Sequence, residues 1–193
     1  KAKKSSQSSR PMNGWLLKNE EIFLGPEIGR GRFGVVYRGT YHNMDIAIKK
    51  IAPSANLKER QQAASLLANE MKALSQCHHE NIVRLLGACQ DPIMLTMAFA
   101  PNGTLRDLLD DAGSDLTKQD RLQIAVGICN GMTYAHSREI VHLDLKPGNV
   151  LMNGLTPWVA DFGLAHKMSA TMSTVLGTLN YMAPELFNDD DDS

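Results

Sequence analysis

No disulfide framework or zinc site is written into this chain. Its three cysteines, Cys77, Cys89 and Cys129, are too few and too widely spaced for either. That usage fits a reducing, cytoplasmic setting. Neither sign of charge dominates: 20 Lys and Arg face 21 Asp and Glu, so no basic field is present to hold nucleic acid. No apolar run approaches the roughly 20 residues that a membrane helix needs. The longest, between Pro92 and Pro101, is short and bounded by prolines. The basic, Ser-rich start from Lys1 to Arg10 leads into no apolar segment, which argues against a secretory signal. What remains is the composition of an ordinary globular protein, 43% hydrophobic and 21% charged.

Residues 1–14 read as a flexible basic arm with nothing to bury. From Ile22 to Ile51 the pattern is strand-like, broken by turns containing Gly and Asn. A helix is expected over about 57–76, followed by strands over 82–88 and 93–99. After Gly103 the character becomes helical. Thr104 with Asp107, and Thr117 with Asp120, each place a capping hydroxyl three residues before a carboxylate. The second of these helices carries Ile124, Ile128, Met132 and Ala135 at helical spacing, and strands resume over 150–152 and 158–160. The expected class is therefore α+β, with a β-rich first lobe, a mainly helical second lobe and a cleft between them.

Four constellations carry chemistry. Gly29-Arg30-Gly31-Arg32-Phe33-Gly34 lets a backbone approach phosphate closely. A strand, Val35 onward, follows these glycines where a dinucleotide fold would place a helix, and no Gly-Lys-Ser/Thr is present. A lid over a nucleotide and an ordinary tight hairpin both fit this stretch alone. In Ala47-Ile48-Lys49, strand alternation puts the small residue and the ammonium on one face. On the following helix Ala63, Leu67, Glu70 and Leu74 form one stripe. A carboxylate there either pairs, with Lys49 the natural partner, or reaches water at the edge of the stripe. His142-Leu143-Asp144-Leu145-Lys146-Pro147-Gly148-Asn149 is a loop, because Pro147 and Gly148 forbid a regular helix. It offers a proton acceptor, a cation for phosphate and an amide oxygen for Mg2+. Asp161-Phe162-Gly163 follows a strand and supplies a second hard oxygen.

Taken in order, with Ala183-Pro184-Glu185 at the end, these motifs resemble the signature set of the protein kinases, from about Trp15 to Glu185. The resemblance divides the chain into a first lobe (about 15–97), a hinge (about 98–103), a partial second lobe (about 104–188) and an acidic tail (189–193). It implies that Gly29, Gly31 and Gly34, with Arg30, Arg32 and Phe33 between them, cover the phosphates of ATP. Lys49, paired with Glu70, would hold the α- and β-phosphates. Asp144 would take the proton of the acceptor hydroxyl and Lys146 would steady the γ-phosphate, while Asn149 and Asp161 hold Mg2+. Ile28, Val36, Ala47 and Leu151 would sandwich the adenine, with Met97 behind it and Ala98, Phe99 and Ala100 as the hinge. Leu74, Leu85, Phe162 and His142 would stack into a column joining the lobes.

Lys146 and Gly177-Thr178 resemble the Ser/Thr kinases, which implies protein substrates with Ser or Thr acceptors. Trp15 and the Val36-Tyr37-Arg38-Gly39-Thr40 stretch resemble the tyrosine-kinase-like group of these enzymes. Leu143 stands where the family usually has Arg, which implies that phosphate on Ser169, Thr171, Ser173 or Thr174 finds no partner there. The chain ends at Ser193, where the family continues into further helices. The resemblance then implies an open apolar face on the 116–137 helix, which a partner or a second copy could cover. A rival expectation is a catalytically weak or dead nucleotide-binding module that acts through protein contacts.

Overall fold

The computed structural model describes residues 12–31, 34–52, 56–167 and 178–184. The first half is an antiparallel sheet built from β1 (Ile22–Arg30), β2 (Gly34–Tyr41), β3 (Met44–Ile51), β4 (Leu85–Gln90) and β5 (Ile93–Ala98). Their spatial order is β1-β2-β3-β5-β4. A helix, α1 (Leu57–Leu74), crosses from β3 towards β4. The second half holds α2 (Leu105–Asp110) and α3 (Lys118–Ser137). Two short strand pairings complete it, made by β6 (Ile140–Val141) with β9 (His166–Lys167), and by β7 (Val150–Asn153) with β8 (Thr156–Val159).

Local chemistry explains the starts of the helices. Thr104 and Thr117 each close a reciprocal capping box, with Asp107 and Asp120 respectively, so two otherwise orphaned backbone donors are satisfied at each end. Asn56 caps α1 by accepting from the Lys58 backbone at 3.0 Å. The α3 helix lies close against β8 and the Asn81 segment because Gly127 faces the first and Gly131 the second. A Cβ at Gly127 would sit 2.6 Å from Pro157, and one at Gly131 would sit 2.7 Å from the carbonyl of Asn81. Asn81 itself donates from its amide to the Pro157 carbonyl at 3.1 Å. Ile124 and Ala135 bury the same side of α3, while Leu122 and Val126 on its other side are about half exposed.

One apolar cluster joins the two halves. Leu67 and Leu74 of α1, Leu85 of β4, Val159 and Phe162 all belong to it. A segment before β1 seals its edge: Trp15 is buried in this cluster, and the Leu17 backbone donates to the Ala88 carbonyl at 2.9 Å. The strand expected over 82–88 is corrected by the structure. Regular pairing in the sheet begins only at Leu85. The preceding residues turn to β8 instead, with the Val83 backbone donating to the Val159 carbonyl at 2.9 Å. An apolar run shows that a stretch is extended and buried, but not which neighbour it pairs with.

Candidate active site

The cleft lies between the sheet and the second half, in a cavity of about 670 Å³. Because side chains alternate along β3, Ala47 and Lys49 face the cavity while Ile46 and Ile48 pack into a separate cluster with Cys89 and Met94. On α1 the residues Ala63, Leu67, Glu70 and Leu74 are all buried, as their spacing requires. Glu70 is only 1% exposed, and a carboxylate so deep needs a partner. Lys49 supplies it: Nζ donates to Glu70 Oε2 at 2.6 Å and to Asp161 Oδ1 at 2.8 Å. Burial pulls the Lys49 ammonium down, but the charges of Glu70 and Asp161 outweigh it and hold its pKa above the ordinary value. Burial pushes the Glu70 carboxyl up, and Lys49 only partly offsets this.

Asp161 reaches Lys49 because its backbone is left-handed, at φ 61. That conformation is costly for a non-glycine residue and is held by what surrounds it. Phe162, fully buried, follows directly and packs on the His142 ring at 4.6 Å between centroids. Leu74, Leu85 and Phe162 belong to one buried cluster, and His142, also buried, meets it through Phe162.

The loop after β6 gathers the other polar groups. Asp144 Oδ2 accepts from Lys146 Nζ at 2.7 Å and from Asn149 Nδ2 at 2.9 Å. Asp144 Oδ1 accepts from the Thr178 hydroxyl at 2.6 Å, and Lys146 also donates to that hydroxyl oxygen at 2.5 Å. Burial pushes the Asp144 carboxyl up, but Lys146, Thr178 and Asn149 outweigh it and keep it below the ordinary carboxylate range. Asp144 is therefore ionised at neutral pH. Asn149 spends its amide nitrogen on Asp144, with a further bond to the Asp144 carbonyl at 2.8 Å. Both bonds are donated by the amide nitrogen, so the amide oxygen is not spent on Asp144.

His142 orients this loop. The Asp144 backbone donates to His142 Nδ1 at 3.2 Å, so Nε2 carries the proton and donates to the Ala160 carbonyl at 2.8 Å. Burial lowers the pKa of His142 below its ordinary 6.5. The folded state thus takes up this proton at lower pH than the unfolded chain does. The associated stability is complete above that ordinary value and is lost as pH falls through the depressed one, at up to about 1.4 kcal/mol per pH unit. Nitrogen NMR should find the His142 ring titrating below the ordinary histidine value. A ring that titrates at or above that value would contradict the assigned hydrogen bonds.

Of the residues singled out in the sequence, Ile28, Gly29, Arg30, Gly31, Gly34, Val36, Ala47 and Lys49 line the cavity. So do Glu70, Met97, Ala98, Phe99, Ala100, Asp144, Asn149, Leu151 and Asp161. Lys146 lies beside them through Asp144. Arg32, Phe33, the four Ser and Thr positions from Ser169 to Thr174, and Glu185 fall outside the described residues. Two features escaped the sequence reading. The cavity runs on past Lys49 to Ile51, Ala63, Leu66 and Leu67. Thr178, noted only as a mark of acceptor type, is bonded directly to the carboxylate.

The sequence profile of the protein kinase domain matches residues 24–193. The serine/threonine-protein kinase STY46 of Arabidopsis thaliana is 32% identical over 177 residues, covering 89% of this chain and 30% of the relative. The G-type lectin S-receptor-like serine/threonine-protein kinase RLK1 of the same plant is 36% identical over 176 residues, covering 83% and 20%. An L-type lectin-domain containing receptor kinase of Arabidopsis is 39% identical over 175 residues, covering 82% and 25%. This chain belongs to the protein kinase family. It spans less than a third of the length of these three relatives. No helix among the described residues is long and apolar enough to cross a membrane.

Proposed function

We propose that the cleft binds ATP with Mg2+ and transfers the γ-phosphoryl group to Ser and Thr hydroxyls of proteins. The observation that carries this reading is that one cavity is lined by both Lys49–Glu70–Asp161 and Asp144–Asn149, with Lys146 bridged to Asp144. Lys49 and Asp161 are 112 residues apart in sequence.

The donors suit Mg2+. Asp161 offers a carboxylate whose side chain is 46% exposed, and Asn149 offers an amide oxygen, both hard ligands that leave room for water and phosphate oxygens. When bound, the ion neutralises charge that builds on the phosphates. The chain's own groups do the rest. Lys49, oriented by Glu70, can turn its ammonium from Asp161 to a phosphate oxygen. Ala47 and Leu151 leave a flat slot for the base, and the hinge backbone from Ala98 to Ala100 edges it. Asp144, ionised and fixed by Asn149, accepts the proton of an incoming hydroxyl as it attacks. Lys146 stands beside that carboxylate to meet the transferred group.

Thr178 marks where the acceptor arrives, since its hydroxyl already occupies a proton-donor position on Asp144. A short aliphatic hydroxyl fits that position. Products of the reaction should therefore hydrolyse to phosphoserine and phosphothreonine. Predominant phosphotyrosine would show that Lys146 and Thr178 do not set the acceptor type.

A further inference from the structure

We infer that Arg106, outside the cavity, is a positioning residue for the protein acceptor and holds the surface over which the substrate chain must run. This rests on the proposed function and adds to it. Any peptide that delivers a hydroxyl to Asp144 passes the residues that follow Thr178, because Thr178 already touches that carboxylate. Those residues, Leu179–Tyr181, form one short 3-10 turn in which nothing is buried. Leu179 is 66% exposed and Tyr181 46% exposed. Two backbone bonds close the turn, from Tyr181 to the Thr178 carbonyl at 2.9 Å and from Met182 to the Leu179 carbonyl at 3.2 Å. An exposed turn with so little packing opens readily unless it is tied down.

The tie comes from α2. Arg106 Nη2 donates to the Tyr181 hydroxyl at 2.7 Å across 75 residues of sequence. Arg106 Nη1 donates to Asp110 one helical turn on, at 3.0 Å, which holds the guanidinium in place. The planar fork suits two partners at once, which a lysine cannot match. The capping box of Thr104 and Asp107 fixes the start of α2, and the helix packs against the Pro147–Asn149 turn of the catalytic loop. Arg106 therefore references the acceptor turn to the same loop that carries Asp144. The turn is pinned at both ends, by Thr178 on the carboxylate and by Tyr181 on α2.

The test separates acceptor from nucleotide. Arg106→Ala and Tyr181→Phe should each raise KM for a Ser/Thr protein substrate by about three- to tenfold, the range of a single typical net hydrogen bond. KM for ATP and the rate of transfer to water should stay within about twofold of wild type. The double variant should be no worse than the worse single one, because both remove the same bond. Arg106→Lys, which keeps one donor, should recover part of the loss. Amide hydrogen exchange at Leu179–Met182 should quicken in both single variants. A substrate KM that does not move, an effect on ATP KM of the same size, additive losses, or unchanged exchange would each overturn the inference. If the wild-type chain transfers no phosphate, the proposed function fails by itself, and the exchange rates still decide whether Arg106 holds the turn.

Discussion

Replacing Asp144 with Asn lowers phosphoryl transfer to protein about a hundredfold to ten-thousandfold, the usual contribution of a positioned base, while binding of ATP with Mg2+ changes little. The side chain keeps its size, so the loop keeps its shape. Its chemistry changes at both oxygens. Asp144 Oδ1 receives the Thr178 hydroxyl, and Oδ2 receives both Lys146 and Asn149. An amide presents two N–H donors on one side, and three of the groups around it are themselves donors. The variant loses the proton acceptor and faces donors with a donor. Since the Asp144 carboxyl is held below the ordinary carboxylate range, the stability it contributes is present above that range and is lost as pH falls through its depressed value. The wild-type rate should accordingly show no acidic limb from this group near neutral pH. Steady-state kinetics on the wild type and the variant, with nucleotide binding measured separately, checks the split. A variant that keeps more than about a tenth of the wild-type rate would remove Asp144 from the role of base.

Lys49→Met has the largest combined effect, because it damages chemistry and folding together. The ammonium is the partner of Glu70, which is 1% exposed. Removing one member of a buried pair costs about 3–5 kcal/mol. Glu70 has a raised pKa, so it can escape part of that cost by taking up a proton. Transfer should fall by at least about a hundredfold through lost charge stabilisation of the phosphates. The two losses can be separated. Adding Glu70→Leu removes the stranded carboxylate from the apolar stripe and should return most of the stability in chemical denaturation, but none of the activity. If Lys49→Met is as stable as wild type, the ion pair has been given too much weight. If the double variant regains activity, Lys49 is not a phosphate ligand.

Much of this site can be read along the chain where one element carries it. Alternation along β3 separates Ala47 and Lys49 from Ile46 and Ile48, and the α1 stripe puts Glu70 on the inner face before any partner is known. The capping boxes at Thr104 and Thr117 need only three residues each, and both form. Contacts that depend on two distant surfaces leave no such pattern. Arg106 and Tyr181 are ordinary polar residues in their own segments, and only the folded chain brings them to 2.7 Å. The bond of Thr178 to Asp144 was likewise hidden, although the short Gly177-Thr178 stretch pointed to the right segment. Residues 82–84 failed for a related reason: an apolar extended run fits either β5 or β8, and backbone pairing, which periodicity does not specify, decides between them.

The most direct test follows γ-labelled ATP with the 193-residue chain, Mg2+ and a protein rich in Ser and Thr, beside Asp161→Asn under the same conditions. The account predicts Mg2+-dependent labelling of Ser and Thr by the wild-type chain and none above background by the variant, whose amide replaces the charged ligand next to Lys49. Equal labelling by the two chains, or labelling that persists when Mg2+ is removed by chelation, would contradict it.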